Sequence, residues 1–219
     1  MNKNDNKDFV IETNRICYNR LGELYEDGLH DLRILIDTGS WQDFIDSLDG
    51  KKILNVGCGH GDVSKVLLDD GYQVTNTDLS DEMIRIVKKK CLKANNLVIG
   101  ATELDKLEAN DFDGVLAIHL IQHLNKDMLI DFLKQVHNLL ADDGKFLLVF
   151  TNTCYEKDGY QPEGGPIEDN MIWWFKWKIE DVISLIVKSH LKPTSIRMQK
   201  YIDKDGGYME PFVIICERD

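Results

Sequence analysis

Lys51 to Ser80 constrain this chain more than any other stretch: KKILNVGCGHGDVSKVLLDDGYQVTNTDLS. The run Ile53-Leu54-Asn55-Val56 is short and apolar, with charge before it and glycine after, which predicts a buried parallel strand. Glycines follow at alternate positions, Gly57, Gly59 and Gly61. Glycine lets a backbone turn sharply, or lie against a ligand, with no Cβ in the way. Val63, Val66 and Leu67 then repeat at helical spacing, and Gly71 is placed to end that helix. A second strand, Tyr72 to Thr77, delivers Asp78. This order puts free backbone N–H groups at a helix start and a carboxylate at the tip of the next strand. A carboxylate there takes both hydroxyls of a ribose. Glycines alone are weak evidence; the strand, helix and acid around them predict a nucleoside cofactor site.

Spacing narrows the cofactor. The dinucleotide fingerprint reads G-x-G-x-x-G. Its third glycine would stand at position 62, where this chain has Asp62. An acid there repels a pyrophosphate, so NAD is the weaker expectation.

Composition sets outer bounds. A length of 219 residues suits one domain with a sizeable core, residues 1–219, and is short for two. The net charge of −12 argues against a nucleic-acid partner, because phosphate contact needs a basic surface. Cys17, Cys58, Cys91, Cys154 and Cys216 are scattered, with no C-x-x-C, which fits a reducing cytosol and neither a disulfide framework nor zinc. The polar start, MNKNDNKDF, lacks a signal peptide's apolar stretch, and no apolar run approaches the ~20 residues that span a bilayer. A cytoplasmic protein with no membrane partner is expected.

The remaining elements follow in order. Residues 1–8 read as disordered, and Phe9 to Leu48 carries helical patches, including Trp41, Phe44, Ile45 and Leu48, so that residues 1–48 predict an N-terminal helical cap. Ser80 is a good N-cap for a helix whose apolar face is Met83, Ile84, Val87 and Cys91. Strands are predicted at Leu97–Ile99, Phe112–Leu120 and Lys145–Thr151, with a helix over 127–140 and a turn at Asp142-Asp143-Gly144. Residues 152–177 break the pattern with Tyr155, Tyr160, Trp173, Trp174 and Trp177, which is where a substrate lid belongs. A helix over 179–188 and strands over 194–201 and 210–218 close the chain. Two residues at the exit of the fourth strand, His119 and His123, face the mouth of such a sheet. His123 reads equally as a base or substrate contact and as a helix-capping or loop-holding side chain. His119, in an apolar stretch, reads first as a hydrogen-bonded core histidine. No carboxylate or cysteine completes a metal set with them.

Several of these segments together resemble one family, the class I S-adenosylmethionine-dependent methyltransferases of small molecules. The motifs are Leu54-Asn55-Val56-Gly57-Cys58-Gly59-His60-Gly61, Thr77-Asp78-Leu79-Ser80-Asp81-Glu82-Met83, Phe112-Asp113-Gly114-Val115, Leu120-Ile121-Gln122-His123-Leu124 and Leu139 to Phe146. The likeness is close over residues 50–150 and loose beyond. It implies an α/β, Rossmann-like, doubly wound sheet of seven strands, mostly parallel, with an antiparallel C-terminal strand. It also implies S-adenosylmethionine as methyl donor, S-adenosylhomocysteine as product and a small-molecule O or N acceptor. A monomer or homodimer is expected. The rivals are a non-methylating protein or enzyme that binds the same cofactor, and an RNA or protein methyltransferase.

The resemblance also implies roles. Asn55, Gly57, Cys58, Gly59, Gly61, Asp78, Leu79, Met83, Thr102, Glu103, Ile118 and His119 would bind the cofactor. His123 would be catalytic, and Tyr18, Tyr155, Trp173 and Trp174 would meet the acceptor. Two positions depart from the family pattern. Asn55 and Ala101 stand where relatives usually carry acids.

Overall fold

Strands β1 (Lys52–Val56), β2 (Gln73–Asp78), β3 (Asn95–Val98), β4 (Phe112–Ile118) and β5 (Leu140–Thr151) lie parallel in the computed structural model. It describes residues 7–25, 29–151, 158–163, 165–202 and 208–219. β8 (Leu191–Met198) and β11 (Pro211–Arg218) complete a seven-stranded sheet in the order β3-β2-β1-β4-β5-β11-β8. β11 runs antiparallel to both neighbours, β5 and β8. The fold is the expected Rossmann-like α/β sheet.

The continuous apolar strands have a simple cause. Successive side chains point to opposite faces, and both faces are covered. Ile53, Leu116, Leu147 and Val149 join one core cluster, with Phe44 and Leu67. Leu54, Val115, Phe146 and Leu148 join the other, with Phe132 and Ile186. The covering helices are α3 (Ser40–Asp46), α4 (Asp62–Asp69), α5 (Asp81–Lys90), α6 (Lys126–Leu139) and α7 (Ile179–Lys188). Ser80 caps α5 as predicted, its side chain accepting from Met83 N at 3.1 Å.

β2 lies on one side of β1 and β4 on the other, so the winding reverses there. Ligands bind outside the strand ends at such a reversal. α1 (Lys7–Leu21) and a 3-10 turn at Gly22–Leu24 lie over it, while α2 (Leu29–Asp37) packs through Ile34 and Leu35 with Phe44 and Leu67 on one face of the sheet. Within the insert, β6 (Gly159–Pro162) and β7 (Met171–Trp174) form an antiparallel pair that packs on α1. The last pair, β9 (Tyr201–Ile202) and β10 (Tyr208–Met209), is a small hairpin apart from the main sheet.

Several boundaries differ from the sequence reading, and three of the differences have a plain cause. β4 ends at Ile118 rather than Leu120, because His119 turns the chain with φ of 50°. β5 begins at Leu140 rather than Lys145, because Leu140 pairs with Phe112 and a register shift absorbs the extra residues. β8 begins at Leu191 rather than Thr194; Pro193 is tolerated because β8 is the edge strand.

The turn glycines differ in what surrounds them. Gly61 has φ of 75°, and a Cβ there would stand 2.2 Å from Val87 Cγ2. Gly71 has φ of 84° and would meet only Lys51 Nζ, at 3.7 Å. Left-handed backbone costs an L residue ~1–2 kcal/mol, and overpacking adds ~1–3 kcal/mol. Gly71→Ala should therefore cost about 1–2 kcal/mol in urea unfolding, and Gly61→Ala about 2–5 kcal/mol. Equal losses would show that Val87 yields freely.

Candidate functional site

Three cavities lie in a row across the carboxyl ends of β1, β2 and β4. The largest, about 480 Å³, is walled by Asp78, Leu79, Gly100, Ala101, Thr102 and Glu103, with α1 as its roof. A second, about 40 Å³, shares Gly57, Asp78, Leu120 and His123 with the first and adds Tyr18 and Tyr25. A third, also about 40 Å³, shares Gly57, Gly59, Tyr25 and Ile118 with the second and reaches Asn55, Cys58 and Asp62. The row suits a long ligand with a bulky end at β2–β3 and a small end under the glycine turn.

Asp78 stands between the first two cavities. The residue is 7% exposed, and its carboxylate accepts backbone N–H groups from Gly59 at 3.1 Å and Ser80 at 2.9 Å. Burial pushes its pKa up to about 6, and these backbone donors partly counter that rise. The glycine turn is locked to the same strand, with Gly57 N and Cys58 N donating to Thr77 O at 2.8 and 3.0 Å. A buried carboxylate with backbone donors on one side fits a pair of sugar hydroxyls on the other.

His123 lies between the second cavity and the insert. Its Nδ1 is 3.1 Å from Trp173 O, and its Nε2 is 2.8 Å from the Tyr18 hydroxyl. A carbonyl only accepts, so Nδ1 carries the proton and Nε2 accepts from Tyr18. Burial pulls the imidazole pKa down to about 4, so it stays neutral at physiological pH. His123 therefore does not present an open nitrogen as a base; the hydroxyl of Tyr18 stands in front of it. Rings continue on either side, all edge to face: His60–Tyr25 at 5.6 Å, Tyr25–Tyr18 at 5.6 Å and His123–Trp174 at 5.1 Å. His60 Nε2 also donates to Gly22 O at 2.8 Å, tying the cap to the glycine turn.

Most residues named from the sequence converge here. Asn55, Gly57, Cys58, Gly59, Gly61, Asp78, Leu79, Thr102, Glu103, Ile118, His119, Tyr18 and His123 line one cavity or another. Met83 does not: it is 1% exposed and packs with Cys17, Leu21 and Ile172 on the helical face that it was expected to supply. Trp173 is a correction too. It is buried in the core at 2% exposure, stacked on Phe175 at 5.8 Å, and offers the site only its backbone. Trp174 stays half-buried against His123. Tyr155 lies outside the described residues. His119 is hydrogen-bonded as expected, with Gln122 Nε2 and Thr151 Oγ1 3.1 and 3.3 Å from its Nδ1, but it is half-buried at the edge of the second cavity rather than in the core.

Asn14 was missed. Its Oδ1 accepts from Trp173 N at 2.7 Å and its amide reaches His123 O, so it joins cap, insert and histidine loop. Its signal was present: Val10, Asn14, Cys17 and Leu21 form one buried helical stripe, with a single amide among apolar neighbours. Among the described residues no group of histidine, cysteine and carboxylate side chains is arranged to hold a metal.

Comparisons with known proteins add to this geometry. Residues 54–148 match the model of the methyltransferase domain family. A ubiquinone biosynthesis O-methyltransferase of Dechloromonas aromatica is 35% identical over 101 residues, 44% of this chain and 42% of that protein. A pavine N-methyltransferase of Thalictrum flavum is 30% identical over 127 residues, 56% of this chain and 34% of that protein. The chain thus spans less than half the length of these relatives. The magnesium protoporphyrin IX methyltransferase of Synechocystis, solved with bound S-adenosylhomocysteine, superposes with a TM-score of 0.70 over 98% of this chain and 100% of that one. At 15% identity that likeness concerns the fold.

Asp78 and His123 give opposite acid responses. The His123 pKa falls from 6.5 to about 4, so its contribution to stability is full above pH 6.5 and is lost as pH drops towards 4. The Asp78 pKa rises from 3.8 to about 6, so the folded state gains relative stability as pH falls through 6 towards 4. His123→Gln should flatten the loss of stability between pH 6.5 and 4, and Asp78→Asn should steepen it. Urea midpoints across that range read both slopes, and parallel profiles would refute the assignment.

Proposed function

We propose that this chain, whose residues 54–148 match the methyltransferase domain family, moves a methyl group from S-adenosylmethionine to an oxygen or nitrogen of a small molecule. The observation that carries the reading is the row of three cavities with Asp78 at the first junction. Adenosine takes the large cavity, the sulfonium the middle one and the amino-acid end the third. The donor supplies a methyl that its sulfonium has already activated.

The chain's own residues then have few tasks. Asp78 holds the ribose hydroxyls. Ala101 cannot take the adenine amino group as an acid would, and Glu103 is engaged by Lys106 and the Gly100 N–H. Backbone groups of Ala101 and Thr102 are left to meet the base. Tyr18, oriented by His123, faces the middle cavity, where the acceptor must approach. A proton leaving the acceptor passes to the phenol–imidazole pair rather than to an open histidine. Holding donor and acceptor in line, in a site that α1 screens from water, supplies several kcal/mol. His119 and Trp174 mark the acceptor side. The named relatives methylate oxygen in one case and nitrogen in the other, so the acceptor atom stays at that breadth. Net charge of −12 favours a small molecule over RNA. Among the described residues no helix is long and apolar enough to cross a membrane.

Calorimetric titration tests the cofactor. The protein should bind S-adenosylmethionine at micromolar affinity and NAD far more weakly, with Asp78→Ala losing about 1–3 kcal/mol. Affinity should fall as pH drops below 6, where Asp78 gains a proton, and Asp78→Asn should abolish that dependence. Preference for NAD, or no binding of S-adenosylmethionine, would overturn the reading. Labelled methyl transfer to metabolite pools against tRNA then tests the acceptor class.

A further inference from the structure

Three hydrogen bonds close a ring behind the histidine of the middle cavity. Asn14 Oδ1 accepts from Trp173 N at 2.7 Å. Trp173 O accepts from His123 Nδ1, 3.1 Å away. His123 O faces the Asn14 amide nitrogen at a longer 3.5 Å. Each residue supplies one donor and one acceptor, and the three come from α1, β7 and the 3-10 turn Ile121–His123. All three are buried. A backbone N–H only donates, so the Asn14 amide cannot turn over without setting two donors face to face. Residues of similar size do not suit the place. Aspartate would set an oxygen against the His123 carbonyl, and leucine would leave the buried Trp173 N–H unmet.

The insert is fastened to the same turn twice more. Phe175 N donates to Gln122 O at 2.6 Å, and Trp177 Nε1 donates to Ile121 O at 2.9 Å. Three successive carbonyls, those of Ile121, Gln122 and His123, thus each meet a donor from the insert or from α1. The bonds to Phe175 and Trp177 hold the turn. The bond to Asn14 acts on Trp173, the residue whose carbonyl meets the imidazole.

Tyr18 follows Asn14 by four residues on α1, so the two share a face. One helix therefore reaches both nitrogens of His123: Tyr18 directly at Nε2, 2.8 Å away, and Asn14 through Trp173 at Nδ1. The tautomer decides what Tyr18 offers. With the proton on Nδ1, Nε2 takes the phenol hydrogen, and the phenol oxygen meets a substrate as a hydrogen-bond acceptor. With the proton on Nε2, the phenol would accept from the ring and direct its own hydrogen elsewhere. We infer that Asn14 is a positioning residue for methyl transfer. It holds the Trp173 carbonyl against Nδ1, which keeps His123 as the Nδ1–H tautomer and the Tyr18 oxygen ready to accept an O–H or N–H of the substrate. Its purpose rests on the methyltransferase reading above, whereas the tautomer is observable without cofactor or substrate.

Nitrogen-15 labelling of the six histidines reports the tautomers directly. Long-range proton–nitrogen spectra separate protonated from unprotonated ring nitrogens, and His123→Gln identifies the His123 signals. The parent should show His123 as Nδ1–H. Asn14→Leu should shift it to a mixture of tautomers or to Nε2–H, with the other histidines unchanged. Asn14→Ala serves as a second variant should the first unfold, with circular dichroism reporting the fold of both. A parent with His123 as Nε2–H, or a folded variant that keeps Nδ1–H, would overturn the inference. In methyl transfer, Asn14→Leu should lower kcat at least tenfold in the parent and far less in a Tyr18→Phe background, because its effect passes through that hydroxyl. Equal losses in both backgrounds would show a general structural role and overturn it. S-adenosylhomocysteine titrated into the same parent sample checks the cofactor reading separately. No binding would overturn that reading and leave the tautomer result standing.

Discussion

Asp78 keeps its carboxylate out of water by drawing on backbone donors from two loops, Gly59 after β1 and Ser80 before α5. The site depends on that arrangement. Each donor comes from a peptide whose own position is set elsewhere. The glycine turn is tied to the end of β2 through Thr77 O, and Ser80 is fixed as the cap of α5. Burial raises the cost of the charge, and the N–H groups offset it in part. What remains is a carboxylate poised for two further donors, which is what a ribose offers.

The cap turns this open strand edge into an enclosed site. Asn14 stitches α1 to the insert and the histidine loop, and His60 stitches the cap to the glycine turn. Aromatic edges fill the space between them, from His60 through Tyr25 and Tyr18 to His123 and Trp174. A row of rings borders the middle cavity, and His123 holds one hydroxyl, that of Tyr18. The neutral imidazole stands behind it, with its Nε2 2.8 Å from that oxygen.

Local residues made much of this legible. Apolar runs, alternate glycines and the acid after β2 are determined by short-range geometry, so the sheet, the turn and Asp78 were readable from Lys51 to Ser80. Trp173 and Met83 were misread because an aromatic or a methionine at helical or lid spacing serves a core as well as a ligand, and only packing decides. His123 was located correctly as a cavity residue, but its occupied nitrogens depend on Tyr18 and Trp173, which lie 105 and 50 residues away. Asn14 escaped for the same reason: its partners come from distant elements. Asp62 was read only as an obstacle to pyrophosphate, and its ion pair with Lys90, 28 residues on, depends on where α5 packs.

The central claim is that the three cavities hold one extended ligand in one direction. A crystal structure with S-adenosylhomocysteine tests it most directly. The account predicts ribose hydroxyls on the Asp78 carboxylate, adenine beside Ala101 and Thr102, sulfur near Tyr18 and the amino-acid end under the glycine turn. A ribose bound away from Asp78, or a ligand running in the opposite direction, would contradict it.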